Sequence, residues 1–243
     1  MSDKQPFHFG RMLLTIALAL VAGGAGAAVW DFSGLGSAAR DDQTRQWLMQ
    51  NPEVLRDMAG ALETKETAAR VGPLRARLEA GYPGAVLGNP KGKLTLVEFS
   101  DYACGYCRAS LPDVAALLAA NPDLKVVVQE YPILTAESAD AARMALAAAD
   151  QGKYEAFHNA MYAAGRPGAE TIAQAATKAG LDLAAARTAI ESGKYENKLA
   201  DSHALAEQLG FNGTPSWVIG DEAFSGAVGH AELNAAVLRA REG

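Results

Sequence analysis

The chain has 243 residues, enough for one large domain or for one domain with an additional helical arm. Its formal net charge is −6 and it has no long run of basic residues, which argues against nucleic acid as a partner. The hydrophobic content of 49% is typical of a globular protein and argues against extended disorder.

The first thirty residues have the pattern of an export signal. Residues 12–30 contain no charged side chain, and Lys4 and Arg11 precede them. Small residues near the end of this stretch suit cleavage by a signal peptidase, but the apolar run is also long enough for an uncleaved membrane anchor. Both interpretations place the rest of the chain on the periplasmic side of a bacterial inner membrane, because the basic residues precede the segment and Asp31 follows it. A buried soluble helix is the remaining alternative.

Residues 31–84 are predicted to form a stalk and a helical arm. The stalk is the Gly- and Ser-rich segment 31–37, expected to be flexible. Residues 51–53, Asn-Pro-Glu, indicate a helix start, because they combine a capping side chain, a first-turn proline and an acid near the positive helix end. An apolar stripe follows, which either packs on the next domain or mediates self-association. Its members are Val54, Leu55, Met58, Leu62, Leu74 and Leu78.

Cys104 and Cys107 are the only cysteines in the chain. In an oxidising compartment they are expected to form a disulfide with each other. The loop that this disulfide would close is too short to stabilise the fold substantially. A structural zinc site normally needs four ligands, and the four histidines are scattered. The pair therefore indicates redox chemistry between a dithiol and a disulfide, for which no metal or organic cofactor is needed.

The segments on either side of the pair predict where it lies. Residues 94–99 form an apolar run typical of a buried central strand, and residues 108–120 have the apolar spacing of a helix. Cys104 is therefore expected in a turn at the positive end of a helix, where free N–H groups and the charge of Arg108 favour a thiolate. We expect Cys104 to be the exposed nucleophile and Cys107 the shielded thiol that resolves a mixed disulfide.

Glu98 is a carboxylate in the middle of the predicted apolar strand. An ionised and unpaired carboxylate in such a strand would be costly, so burial would raise the pKa of Glu98 toward neutrality. One interpretation is a proton relay for Cys107. The other is a side chain at a strand edge whose carboxylate reaches solvent.

Two segments resemble those of DsbA-type thioredoxin-fold proteins. Residues 98–107, Glu-Phe-Ser-Asp-Tyr-Ala-Cys-Gly-Tyr-Cys, resemble the active-site segment of that family, in which an acid at the position of Glu98 is buried beneath the active site. Residues 213–219, Gly-Thr-Pro-Ser-Trp-Val-Ile, resemble the loop in which a cis-proline faces the redox pair and a neighbouring residue binds an extended substrate. The resemblance thus implies a cis bond before Pro215.

The same resemblance implies that the substrate contacts four residues around the pair. They are Thr214 and Pro215 in the loop, and Gly105 and Tyr106 between the cysteines.

The resemblance also implies the fold class, an α/β thioredoxin-like fold with an inserted all-helical domain, preceded by the arm and the signal or anchor segment. The domain is expected over residues 85–243, with the insertion at about 136–209. Further strands are expected at 124–130, 217–220 and 223–225, and a final helix at 230–241. Within the insertion, the helical spacing of four large side chains favours core packing over a substrate groove. These are Tyr154, Phe157, Met161 and Tyr162.

The function implied is that of an exported thiol–disulfide oxidoreductase that acts on cysteine-containing proteins and is recycled by a membrane redox partner. A homo-oligomer formed through the arm is one of the two alternatives for the apolar stripe. Disulfide formation is the main hypothesis, because the layout with a helical insertion resembles the oxidants. Gly105 and Tyr106 differ from the Pro-His pair of strong oxidants and resemble the isomerase type, so a disulfide isomerase or reductase is the alternative. A third hypothesis is a non-enzymatic chaperone-like or metal-handling module that holds a soft ion such as Cu(I), against which the absence of Met or His near Cys104 argues.

Overall fold

The computed structural model describes residues 9–32 and 35–242. The chain divides into two compact units, Met1–Ala61 and Leu62–Gly243. Within residues 9–32 and 35–242, no helix is both long enough and apolar enough to cross a membrane.

The first unit is helical where it is described. It contains α1, Phe9–Phe32, α2, Leu35–Gln50, and the start of α3, Glu53–Val71. The prediction of a flexible stalk over residues 31–37 is wrong for most of this segment. Residues 31–32 end α1, and residues 35–37 begin α2. Ser33 and Gly34 lie outside the described residues. Strong helix formers such as Ala, Arg, Gln and Leu predominate in α2 and outweigh the single Gly36.

The predicted helix start at residues 51–53 is confirmed, because α3 begins at Glu53. The Asn51 side chain donates a hydrogen bond of 2.7 Å to the Trp47 carbonyl, at the end of α2. In the apolar stripe, Leu55, Met58 and Leu62 are more than half exposed, whereas Leu74 and Leu78 are buried.

The second unit is built on a five-stranded mixed sheet with the order β1-β3-β2-β4-β5. Only β2 and β3 are parallel neighbours, and the other three pairs are antiparallel. The predicted strands are present; β1 was not predicted, because three residues are too few to show a periodic pattern. The strands are β1 Val86–Gly88, β2 Leu94–Ser100, β3 Leu124–Glu130, β4 Ser216–Ile219 and β5 Glu222–Ser225.

Five consecutive helices, α6 to α10, lie between β3 and β4. The breaks between them fall at Gly152, Gly165, Gly180 and Gly193, all with positive φ, a conformation that glycine adopts without strain. After the 3-10 turn Gly72–Leu74, the helices of this unit are α4 Arg75–Ala80, α5 Gly105–Ala120, α6 Ala136–Asp150, α7 Tyr154–Ala164, α8 Ala169–Lys178, α9 Leu183–Glu191, α10 Glu196–Leu209 and α11 Gly229–Glu242.

Alternate residues of the central strands supply two separate apolar cores. Leu96 packs in the core formed with α5, α6, α7 and α11, whereas Val97 and Phe99 pack in the core formed with α10 and with Leu78 of α4. Glu98 follows Leu96 by two positions, so it projects toward the same side of the sheet as α5. Tyr154, Phe157, Met161 and Tyr162 are buried in that core, which confirms core packing for these four side chains.

Candidate active site

Cys104 is the N-cap residue of α5. Its backbone is extended (φ −77°, ψ 120°), and its Sγ atom accepts a hydrogen bond from the Cys107 N–H at 3.5 Å. The helix begins at Gly105, earlier than the predicted residue 108. This places the sulfur beside the free N–H groups and the positive end of the helix dipole, where a thiolate is favoured.

Asp101 holds the turn that carries Cys104. Its side chain is fully buried, and Oδ1 accepts a hydrogen bond of 2.8 Å from the N–H of Ala103. Oδ2 accepts bonds of 2.8 and 2.9 Å from the N–H groups of Ile133 and Leu134. One carboxylate therefore links the active-site turn to the segment after β3. The sequence contained a signal for this role, because an Asp that directly follows a strand often bonds backbone N–H groups two residues further on.

The loop before β4 covers the other side of Cys104. The Thr214–Pro215 peptide bond is cis, as the resemblance implied. The Cys104 thiol donates a hydrogen bond of 3.2 Å to the Thr214 carbonyl. As a result Cys104 is only 6% exposed, so the prediction of an exposed nucleophile is wrong for this conformation. Cys107 is 1% exposed, and both are free thiols.

The two thiols have pKa values that are shifted in opposite directions. The hydrogen bond from the Cys107 thiol is the largest cause that lowers the pKa of Cys104 to about 5, and the Thr214 side chain and the N–H groups of Cys107 and Tyr106 add to it against the effect of burial. The pKa of Cys107 lies far above its ordinary value because of its bond to Cys104, its burial and the charge of Glu98. The expected contribution of Arg108 is not among these causes. Its Nε atom is buried and has no hydrogen-bond partner within the described ranges.

Glu98 lies in β2 between its partners Val128 and Trp217 on the neighbouring strands. It is 2% exposed, so the alternative of a carboxylate that reaches solvent is wrong. Burial raises the pKa of Glu98 to about 7; the Ser100 hydroxyl lowers it and the charge of Cys104 raises it. A carboxyl group with such a pKa can both give and take a proton near neutrality.

Residues 95–237 match the family described as DSBA-like thioredoxin domain. This chain belongs to that family. The predicted fold class is thereby confirmed, and so is the predicted enzyme class, a thiol–disulfide oxidoreductase. DsbA-like proteins act on protein substrates that contain cysteine, and thiol–disulfide exchange is the activity that this membership supports.

The solved structures similar to this DsbA-like protein include the following three. A thioredoxin-like oxidoreductase from Silicibacter pomeroyi DSS-3 is 44% identical, with a TM-score of 0.66 over 70% of this chain and 98% of that one. The thiol-disulfide exchange protein alpha-DsbA2 from Wolbachia pipientis is 29% identical, with a TM-score of 0.67 over 73% and 97%. A periplasmic thioredoxin-like protein from Salmonella enterica serovar Typhimurium is 29% identical, with a TM-score of 0.60 over 70% and 97%.

The chain spans about a quarter of the length of the curated relatives that it matches. One of them is a Na(+)/H(+) antiporter, NhaA 3, from Salinispora tropica. It is 27% identical over 160 residues, which cover 64% of this chain and 24% of the antiporter.

The predicted substrate-contacting residues of the DsbA-like domain lie on both sides of Cys104. Tyr106, in the first turn of α5, is 69% exposed, and a Cβ atom added to Gly105 would meet nothing within 4 Å. Pro215 is buried and Thr214 is partly buried. While Cys104 is a thiol that donates to the Thr214 carbonyl, the buried Thr214 hydroxyl oxygen has no hydrogen-bond partner in the part of the chain that the structure describes.

A second buried acid, Glu130, was missed by the sequence analysis. It ends β3, is 2% exposed and accepts hydrogen bonds from Tyr102 and Tyr154. Its signal was the same as that of Glu98, an acid that follows several apolar strand residues. Across the described residues, no group of three or more His, Cys, Asp and Glu side chains is arranged to hold a metal ion.

Proposed function

We propose that this DsbA-like protein works outside the cytoplasm and exchanges disulfides with cysteine-containing proteins through Cys104 and Cys107, mainly to form disulfides. The observation that carries the proposal is the asymmetry of the two thiols. A pKa of about 5 makes Cys104 a thiolate at neutral pH, whereas Cys107, with its raised pKa, stays a thiol. A stable thiolate in the reduced pair favours an oxidant, because it stabilises the reduced form.

The exchange follows from this asymmetry in two steps. A substrate thiolate attacks Sγ of Cys104, the bond between the two cysteine sulfurs breaks, and its electron pair moves to Cys107, which takes a proton from Glu98. A second substrate thiolate then attacks the substrate sulfur of the mixed disulfide and releases Cys104 as a thiolate. The substrate has lost two electrons and the cysteine pair has gained them. In the reverse direction Glu98 removes the proton from Cys107, which then resolves the mixed disulfide.

The substrate is proposed to lie across Cys104 between the cis-proline loop and the start of α5. Thr214 and Pro215 shape one side of this site, and Gly105 and Tyr106 form the other. The backbone carbonyl of Thr214 lies 3.2 Å from the Cys104 sulfur. The exposed ring of Tyr106 offers apolar contact area beside it.

The rest of the chain is proposed to serve location and recycling. Residues 1–30 act as a signal peptide or anchor, 31–84 as a helical arm, and 85–243 as the catalytic domain, with its helical insertion at about 136–209. The periplasmic description of the Salmonella relative supports export. Since each oxidation of a substrate leaves the pair reduced, a membrane redox partner would have to reoxidise it.

Isomerase or reductase activity is the second candidate. The Gly105–Tyr106 dipeptide favours it, and so do the exposed side chains of Leu55, Met58 and Leu62, which are suited to a homo-oligomer through the arm. An oligomer would place several cysteine pairs around one misfolded substrate.

The reduction potential of the pair, measured in the full chain against glutathione buffers, tests the proposal. A value of about −120 mV identifies a disulfide donor, and a value of about −200 mV or lower identifies an isomerase or reductase. Absence of any exchange, with tight stoichiometric Cu(I) binding instead, would contradict both and favour a metal-handling module. A Cys104→Ala variant is the control, since it lacks the pair.

A further inference from the structure

Glu98 and Glu130 lie on the same face of two adjacent parallel strands. Ser100 of β2 is the partner of Glu130 in β3, and Glu98 is the partner of Val128, so the two acids are offset by two residues on one side of the sheet. Each is 2% exposed. The charge of an ionised Glu98 raises the pKa of Glu130, so two carboxylates on this face cost more than one.

The hydrogen-bond network around Glu130 can accommodate both the ionised and the protonated form of its side chain. Oε1 of Glu130 accepts bonds from the hydroxyl groups of Tyr154, at 2.7 Å, and Tyr102, at 3.3 Å. The Tyr102 hydroxyl also lies 3.3 Å from Nδ1 of His158. Tyr102 has one hydroxyl proton for these two neighbours. When Glu130 is ionised, Tyr102 donates this proton to Glu130. When Glu130 is protonated, Glu130 donates to Tyr102 and Tyr102 donates to His158.

His158 can take part in both arrangements, because its Nε2 atom is buried and has no partner in either of them within residues 9–32 and 35–242. Neither tautomer is therefore fixed by a second hydrogen bond. The imidazole stays uncharged, since burial lowers the pKa of His158 to about 3.

The titratable groups that face Glu130 come from three elements. Burial is the main cause that raises the pKa of Glu130 to about 8; the tyrosine hydroxyls lower it, and the charges of Asp101 and Glu98 raise it. These groups are Glu98 from β2, Asp101 and Tyr102 from the turn after it, and Tyr154 from α7. His158 of α7 joins this set through the Tyr102 hydroxyl.

We propose that Glu130 is a positioning residue of the exchange reaction, a second proton-holding acid that acts on the cysteine pair through Glu98. The inference rests on the proposed function. When Cys107 leaves as a thiolate, the O–H bond of Glu98 breaks, an S–H bond forms, and Glu98 becomes a carboxylate. A neutral Glu130 places no second charge beside that carboxylate, whereas an ionised Glu130 raises the free energy of forming it through charge repulsion. Reduction of the pair also creates the Cys104 thiolate, whose charge makes Glu98 hold its proton more tightly.

The pH dependence of the reduction potential tests this role in the full chain. The reduction potential is measured over a pH range that extends on both sides of the two pKa values, about 7 for Glu98 and about 8 for Glu130. We expect two bends in the wild-type curve, and in Glu130→Gln the loss of the upper bend with retention of the lower one. Tyr154→Phe removes a donor that favours the ionised Glu130, so it should move the upper bend to higher pH.

Glu155→Gln is the matched control, because Glu155 is an exposed acid in the same helix as Tyr154. It should leave both bends in place. A folded Glu130→Gln protein with both bends unchanged would overturn the inference and make Glu130 a structural acceptor only. If Glu130→Gln does not fold, an unmoved upper bend in Tyr154→Phe overturns it equally. Failure of the proposed exchange activity is distinguishable, because the wild-type protein would then show no redox equilibrium at all. A potential in the isomerase or reductase range would change the direction of exchange but leave this test of Glu130 valid.

Discussion

The Sγ atom of Cys104 lies 3.2 Å from the backbone carbonyl oxygen of Thr214, 110 residues further along the chain. As a thiol, Cys104 donates to this carbonyl. As a thiolate it can no longer donate, and the buried hydroxyl of Thr214, which has no other partner among the described residues, is then available to donate to the sulfur. The same residue therefore offers a suitable group to both protonation states of Cys104.

Replacement of Thr214 by valine should raise the pKa of Cys104 from its value of about 5, because the thiolate loses a hydroxyl donor. A hydrogen bond to a charged group contributes about 1.5 kcal/mol or more, which corresponds to a rise of about one in pKa. The absorbance of the thiolate as a function of pH measures it. Thr214→Ser keeps the hydroxyl and should keep the pKa. Identical titration of the valine and serine variants would contradict this role of the hydroxyl.

Tyr106→His should make the cysteine pair more oxidising at slightly acid pH. Tyr106 lies in the first turn of α5 and is 69% exposed, so a protonated imidazole there would add a positive charge near the Cys104 thiolate. Stabilising the reduced form raises the reduction potential, here by up to about 30 mV because the site is exposed. Tyr106→Phe is the control without a charge. If the two variants had equal potentials both below and above the histidine pKa, the electrostatic effect would be absent.

Asp101→Asn should destabilise the protein by about 1–3 kcal/mol, because the amide cannot accept all the hydrogen bonds that the buried carboxylate accepts. The amide NH2 group would also face a backbone N–H. Urea unfolding measures the loss. Asp57→Asn, at an exposed position, should change the free energy of unfolding far less. Equal stability of the two variants would show that the link between the active-site turn and Ile133 contributes nothing.

Glu98→Gln should slow disulfide exchange and change how stability depends on pH. The pKa of Glu98 is raised from 4.5 to about 7, so the folded state favours the protonated acid. The stabilisation this gives is complete below about pH 4.5 and is lost as the pH rises through about 7, a change of up to about 3 kcal/mol. Relative to the wild type, the glutamine variant should therefore gain stability between about pH 4 and about pH 8.

Urea unfolding of the reduced proteins at the two pH values measures this gain. A difference between variant and wild type that is the same at both values would mean that Glu98 ionises in the folded protein as it does in water. Exchange rates unaffected by the substitution across neutral pH would remove Glu98 from the mechanism.

Much of the fold could be predicted from local pattern. Strand β2 was identifiable because it is a nearly continuous apolar run, and β3 because it is rich in valine. The breaks in the helical insertion were identifiable because glycine marks each of them. The short strand β1 was too brief to show a pattern. The helical conformation of most of the predicted stalk was missed because its glycines and serines were weighed more heavily than the helix formers that follow.

The candidate site was predictable only where its residues are close in sequence or belong to a recognisable segment. The cysteine pair, Glu98 and the Thr214–Pro215 loop met this condition. The bonds from Glu130 to Tyr102 and Tyr154 did not, because they join residues 28 and 24 positions apart through side chains whose meeting depends on how α7 packs on the sheet. The burial of Cys104 under Thr214 depends equally on tertiary contact.

Trapping of a mixed disulfide tests the central claim most directly, namely that Cys104 attacks and Cys107 resolves. Each cysteine is replaced by alanine in turn, and the variants are incubated with a disulfide-containing peptide and analysed by mass spectrometry. We predict that Cys107→Ala accumulates a stable adduct through Cys104 and that Cys104→Ala forms almost none, because the remaining thiol is buried and has a high pKa. Adducts that form equally well in both variants, or only through Cys107, would contradict the account.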